Sequence, residues 1–336
     1  MNQSESFIDF LDRYGHQHPP EMVYQASEDF GVWQAQFYDA LLGLRGVLPD
    51  RVDLDVETVD VIEEADHTRH VLRIRVSDIS TLVAYLLVPG NLAEGEKRPA
   101  IVASHGHVAQ GIDAICGVAG VDDGAGGRRG YGLAAVRSGY VVLAPAWWGW
   151  PGRDGHLDRV GNRDRCNVIN MAAEMYGMNV TDLHIQDGQA AIDALVARPE
   201  VDGERVGCIG NSYGGRSTMW LTLFDKRIKA CVPTGSMNTF RERSLKLSSC
   251  GIQYLPGILR YGDVPELFSL IAPRPMQLQA GDGDGLINEN DRKLILATVQ
   301  NAYHKLGVEG HFDFKQHSDG HLLRWDLAEA FLAKHL

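Results

Sequence analysis

The chain has 336 residues, 44% hydrophobic and 23% charged, and its 44 Asp and Glu outnumber its 32 Lys and Arg, giving a net charge of -12. This composition excludes a disordered or low-complexity chain, and the negative balance repels nucleic-acid phosphates and anionic membrane surfaces. The length allows two domains of roughly 150 residues or one large α/β domain; with no internal repeat and no Ser/Pro-rich linker, a single domain is predicted.

The N-terminal stretch MNQSESFIDFLDRYGHQHPP is acidic and has no apolar run of signal-peptide length, and no run of 18 apolar residues follows, so a cytoplasmic chain without a membrane span is expected. Residues 28–48 place Trp33, Phe37, Leu41 and Leu44 at helical spacing, which predicts a helix packed on the main body. From about Val52 to Val88, β-forming runs (HVLRIRV, TLVAYLLV) flank the turn-like SDIS and stop at Pro89-Gly90, which reads as an antiparallel hairpin.

Beyond Arg98, short apolar runs alternate with helical patterns: PAIVASHG, YGLAAVRSG, YVVLAPA, DLHIQDGQAAIDALVARPEV, RVGCIGNS, IKACVPTG and PMQLQAGDGD. A helix from about Asn288 to Leu306, the run HFDFKQH and a final helix follow. Such alternation predicts a parallel sheet covered by helices on both faces. The segment from Trp147 to Asn179 has no clear period; it follows a parallel strand, where open α/β sheets bind ligands, and is a candidate pocket wall. Five widely spaced cysteines (Cys116, Cys166, Cys208, Cys231, Cys250) include no CxxC pair; they read as buried reduced thiols, not as a disulfide framework or a zinc ribbon.

The chemical signal is Gly210-Asn211-Ser212-Tyr213-Gly214. Chance alone gives roughly 0.2 G-x-S-x-G matches in this composition, so context must carry it. The motif lies between the strand-like RVGCI and a segment able to continue as a helix, and a sharp strand-to-helix turn needs small residues two before and two after its serine. A serine nucleophile needs a base, and the base an orienting carboxylate, in the chain order serine, acid, histidine. Gly281-Asp282-Gly283-Asp284-Gly285 follows one predicted strand and His317-Ser318-Asp319-Gly320-His321 another. Asp284 and His321 are preferred because each lies farther beyond its strand and a glycine precedes His321; Asp282 and His317 are the alternatives. An oxyanion would meet the backbone N–H of Tyr213 and a second donor from the loop Ser104-His105-Gly106-His107, assigned to His107.

These segments, with YVVLAPAWWGWPGR, LIAPRPMQLQAGDGD and DGHLL, resemble the α/β-hydrolase superfamily, and within it the dienelactone-hydrolase-like and acetyl-xylan-esterase-like branch. The resemblance spans roughly residues 80–336. It implies an eight-stranded, mostly parallel sheet and hydrolysis of a small-molecule carboxylic ester through an acyl-enzyme, with residues 1–50 as a helical arm ahead of a catalytic domain at 51–336. Ser212 stands where dienelactone hydrolases proper carry cysteine, which argues against dienelactone as substrate. Trp147 and Trp148 (with Trp150 nearby) fall where the family places part of its substrate pocket, and their faces suit a sugar ring or an aromatic acyl group. Arg128, Arg129, Arg153 and Arg216 are weaker candidates for meeting a substrate carboxylate.

No cofactor and no metal is expected. His105, His107, His317 and His321 could in principle converge on zinc, but HSDGH has a glycine and lacks the glutamate of a helical zinc motif. A prolyl-oligopeptidase-like peptidase would share the core, yet fewer than 100 residues precede it here, too few for a propeller. The remaining alternative is a non-catalytic binding protein on the same fold. Assembly into a homo-oligomer stays open at this level.

Overall fold

A computed structural model describes residues 6–25, 28–161, 163–248 and 250–336; residues 1–5 of the predicted N-terminal arm lie outside them. A nine-stranded sheet runs through the molecule. Its strands are β1 (Val56–Glu63), β2 (His67–Arg75), β3 (Thr81–Pro89), β4 (Arg98–Ser104), β5 (Val141–Pro145), β6 (Val201–Asn211), β7 (Ile228–Thr234), β8 (Met276–Gly281) and β9 (Phe312–His317). The spatial order is β1-β2-β3-β5-β4-β6-β7-β8-β9. β1, β2, β3 and β5 pair antiparallel in succession, and every pair from β5–β4 to β8–β9 is parallel.

The predicted hairpin is the antiparallel pair β2–β3. One expectation needs correction: the sheet has nine strands where the family resemblance implied eight. The added strand is β1, VETVDVIE, which lies at the sheet edge with nearly all of its residues exposed. A strand with solvent on both faces needs no apolar side, and VETVDVIE carries no period-two apolar pattern.

The central strands show why the sheet is covered on both faces. Ala100, Val102, Val141, Leu143, Cys208 and Cys231 belong to one core cluster, whereas the intervening Ile101, Ala103, Val142, Ala144, Ile209 and Val232 belong to another. Successive strand side chains point to opposite faces, so continuous apolar runs can feed two cores. The first core receives the helix Phe30–Gly43, which buries Phe30, Trp33, Phe37 and Leu41 and is capped by Asp29. The second is closed by the C-terminal helix Trp325–His335 through Phe331 and Leu332. The helix predicted after Asn288 runs from Glu289 to Lys305, with the Asn288 side chain accepting from the Asp291 N–H. The aperiodic segment after Trp147 contains a helix, Arg165–Glu174, capped by Asp164. Among the described residues no helix is long and apolar enough to cross a membrane.

The chain leaves β4 for β5 on one side and reaches β6 on the other. The loops after β4 and β6 therefore border a topological switch point, where open α/β sheets form their ligand crevice.

Candidate active site

Ser212 occupies the junction between β6 and the helix Tyr213–Phe224, with φ 64° and ψ -122°. A left-handed conformation at a non-glycine residue costs about 1–3 kcal/mol and persists only where the surroundings impose it. Here the Ser212 N–H donates to Thr234 O of β7 at 2.9 Å, and Ser212 O accepts from the Arg216 N–H at 3.1 Å, opening the helix. The two flanking glycines make the bend possible. A Cβ on Gly210 would lie 2.3 Å from Gly214 O, and one on Gly214 would lie 2.0 Å from Ser104 O at the end of β4. Ser104 O also accepts from the Tyr131 hydroxyl at 2.6 Å, which anchors this crossing.

The acid and the imidazole meet across two strand ends. His321 Nδ1 lies 2.7 Å from Asp284 Oδ2, and Asp284 Oδ1 accepts from the Leu286 N–H at 3.0 Å. The Asp284 side chain is only 2% exposed, so its charge relies on these donors. An ionised carboxylate only accepts, which puts the neutral imidazole's proton on Nδ1 and leaves Nε2 with a lone pair. Nε2 is buried and has no hydrogen-bond partner among the described residues.

The imidazole is tied to the elbow through the elbow's own residues. Asn211 Nδ2 donates to His321 O at 3.1 Å. Gly235, φ 62°, lies under the ring: a Cβ there would sit 2.9 Å from His321 Cε1 and 2.6 Å from Asn211 Oδ1. Ser212 thus leans on Thr234 and His321 on Gly235, adjacent residues at the end of β7.

The alternative pair has different surroundings. Exposed Asp282 accepts from the Gln316 side chain and donates its N–H to His317 O at 2.6 Å. His317 is buried, its Nδ1 accepts from the Asp319 N–H at 3.3 Å, and burial lowers its pKa.

Two further histidines, His105 and His184, hold the next loop. His105 Nδ1 donates to Gly106 O at 2.9 Å, and its Nε2 accepts from the Trp147 N–H at 3.2 Å. Burial holds this imidazole's pKa down to about 4, so it stays neutral. His184 Nε2 accepts from the Trp148 N–H at 3.0 Å while its Nδ1 meets the Tyr213 hydroxyl, and burial pushes its pKa well down. The dipeptide Trp147-Trp148 is therefore clamped by its backbone. No local period marks such clamps, because each spans 36 residues or more.

The assignment of Trp147 to substrate binding is corrected by its burial: the residue is 0% exposed, packed against His105 and His184, and offers no face to a ligand. Trp148 is partly exposed, but the Arg153 guanidinium stacks 3.5 Å from the centre of its ring. Arg153 is itself buried and paired with Asp187, and buried Arg216 binds Asn238. Both are occupied inside the fold.

The loop after β4 lies against the elbow, since a Cβ on Gly106 would be 3.2 Å from Ser212 Cβ. The next residue, His107, is exposed, with its ring 5.4 Å from Trp150 and 5.2 Å from Tyr213, centre to centre. Trp150 stacks parallel to Tyr213. As first residue of its helix, Tyr213 has an N–H without an intrahelical acceptor, on the positive end of the helix dipole. All five cysteines are buried and unbridged. Cys250 and Cys166 sit beside His107: a hydrogen bond from Cys166, then one from His107, pulls the Cys250 thiol's pKa down, and the Cys166 thiol moves up.

A family model described as BAAT / Acyl-CoA thioester hydrolase C terminal matches residues 184–259, a segment that includes Ser212. Over 251 residues the chain is 30% identical to "Putative hydrolase YtaP" of Bacillus subtilis, covering 73% of this chain and 80% of that protein. A structure titled as a putative acetyl xylan esterase of Bacteroides fragilis superposes with TM-score 0.81 over 99% of this chain and 96% of that one, at 15% identity. A glucuronoyl esterase of Solibacter usitatus superposes with TM-score 0.68 over 94% and 97%, at 17% identity.

Proposed function

Since the chain belongs to the α/β-hydrolase superfamily, with the Bacillus subtilis hydrolase as a relative, we propose that it is a serine hydrolase of carboxylic esters acting through an acyl-enzyme. One observation carries this reading. An imidazole held by a buried carboxylate, with its other nitrogen buried and unpartnered among the described residues, shares one corner of the sheet with a serine on a strained turn.

Ser212 Oγ attacks the ester carbonyl carbon and its proton passes to His321 Nε2. Asp284 keeps the Nδ1–H tautomer and stabilises the imidazolium as it forms. The carbonyl oxygen becomes an oxyanion and takes hydrogen bonds from the backbone N–H groups of Tyr213 and His107. Collapse breaks the bond to the alkoxy oxygen, which leaves with the proton from Nε2. Water then attacks the acyl-enzyme, gives a proton to Nε2, and the acid is released as the proton returns to Ser212. These steps draw on side chains and backbone alone.

Small acyl groups, acetyl above all, are the proposed substrates, with carbohydrate esters as the favoured class. The support for that class is the likeness of the fold to a putative acetyl xylan esterase and a glucuronoyl esterase. Ser212→Ala is expected to lower p-nitrophenyl acetate hydrolysis at least about 10⁴-fold; near-wild-type turnover by the folded variant would overturn the reading. A panel of acetylated sugars, aryl esters, lactones, methyl esters and acyl thioesters then ranks the acyl and leaving groups.

A further inference from the structure

We infer that His107, Cys166 and Cys250 form a binding site for a zinc-class divalent cation beside Ser212. Their ligand atoms (His107 nitrogen and the two Sγ atoms) all lie within 4.8 Å of one another, and His107 Nε2 is 3.3 Å from Cys250 Sγ. In a tetrahedral zinc site, Zn–S of about 2.3 Å and Zn–N of about 2.0 Å place a sulfur and a nitrogen about 3.5 Å apart and two sulfurs about 3.8 Å apart. The observed spacings thus reach that geometry when pairs of ligand atoms close by about 1.3 Å at most.

The scaffold holds the three residues at that spacing. Cys166 lies in the first turn of the helix Arg165–Glu174, and Cys250 directly precedes the short turn Gly251–Gln253. These segments are joined by the residues that follow each cysteine, since Asn167 Oδ1 accepts from the Gly251 N–H at 2.7 Å. Asn170, one helical turn beyond Cys166, packs against Gly251 so closely that a Cβ there would be 2.9 Å from its amide nitrogen. His107 comes from the loop after β4.

Two sulfurs and one imidazole are a donor set for zinc and other thiophilic ions, and a poor one for magnesium or calcium. Three protein ligands leave a fourth position open, as catalytic and regulatory zinc sites do. Exposed His107 gives the ion a way in, while the buried cysteines hold it. Because Gly106 abuts Ser212, an ion here fixes the loop that carries His107 next to the nucleophile. The inference concerns binding and does not depend on the reaction proposed above.

The test uses the full chain, fully reduced and free of oxygen, titrated with Co2+ and then Zn2+. The expected result is a thiolate-to-cobalt charge-transfer band saturating at one equivalent, lost on adding one equivalent of Zn2+, with one ion per chain by native mass spectrometry. Cys166→Ser and Cys250→Ser should each weaken binding at least about 100-fold, the upper end of what loss of an outer-sphere partner costs. Exposed His107→Ala should weaken it too, and carries the test if a cysteine variant fails to fold; Ser212→Ala should bind as the parent does. Absence of the band in reduced protein, or a band that survives all three ligand substitutions, would overturn the site. A Cys166–Cys250 disulfide that forms in air, with no cation binding after reduction, would also overturn it and assign the pair to thiol oxidation.

Discussion

Asp284→Asn exchanges one oxygen for an amide nitrogen in the group that orients His321. In the parent both carboxylate oxygens accept, one from His321 Nδ1 at 2.7 Å and one from the Leu286 N–H at 3.0 Å. The backbone donor cannot change its role, so the asparagine oxygen stays on Leu286 and its NH2 faces His321. The imidazole then presents a lone pair at Nδ1 and carries its proton on Nε2, the nitrogen that must receive the proton of Ser212. Side-chain volume hardly changes, so the fold should persist while kcat falls about 10⁴-fold, equivalent to about 5 kcal/mol of transition-state stabilisation. The assay is steady-state hydrolysis of p-nitrophenyl acetate by Asp284→Asn and Asp282→Asn in parallel, with thermal unfolding of each. Asp282 pairs with Gln316 at the surface, so its variant should stay near parental activity. A folded Asp284→Asn protein within about tenfold of the parent, or a large loss in Asp282→Asn instead, would refute the reasoning.

Two further outcomes follow from the same geometry. Gly235→Ala puts a methyl 2.6 Å from Asn211 Oδ1 and 2.9 Å from His321 Cε1 at a φ of 62°; displacing the imidazole should cost about 10²-fold in kcat, and unchanged kcat in a folded variant would mean the ring is not set by this contact. His105 is buried neutral with its pKa held down to about 4 from an ordinary 6.5, so between those values the unfolded chain binds the proton and the folded chain does not. Its contribution to stability is complete above about pH 6.5 and is lost as pH falls toward 4, about 2 kcal/mol of it by pH 5. Urea unfolding at pH 7.5 and pH 5 should show a smaller acid loss in His105→Gln, which keeps an acceptor for Trp147, than in the parent; equal losses would contradict the assignment.

The parts of this molecule readable in the sequence are those written in short periods. Apolar runs such as AIVA and YVVLA feed both faces of the sheet, the Trp33, Phe37 and Leu41 spacing marks a helix against it, and the elbow carries its glycines two residues either side of Ser212. The preference for Asp284 and His321 also rested on local features, distance past a strand and a preceding glycine, and these two side chains are paired in the structure. What escaped reading depends on which distant segments meet. Trp147 follows a strand and so reads as available, but His105 accepts from its backbone N–H from 42 positions away, His184 packs against its ring, and that ring is buried. β1 is exposed along nearly its whole length and carries acidic residues at every third position, Glu57, Asp60 and Glu63, so no period-two apolar pattern marks it. Cys166 and Cys250, 84 positions apart, show no ligand spacing along the chain, yet their sulfurs converge on His107.

The measurement that bears most directly on the central claim is covalent capture of the nucleophile. Incubation with a fluorophosphonate, followed by digestion and mass spectrometry, should place a single adduct on Ser212, and Ser212→Ala should take up none. An unlabelled parent protein, or an adduct on any other residue that persists in Ser212→Ala, would contradict the account.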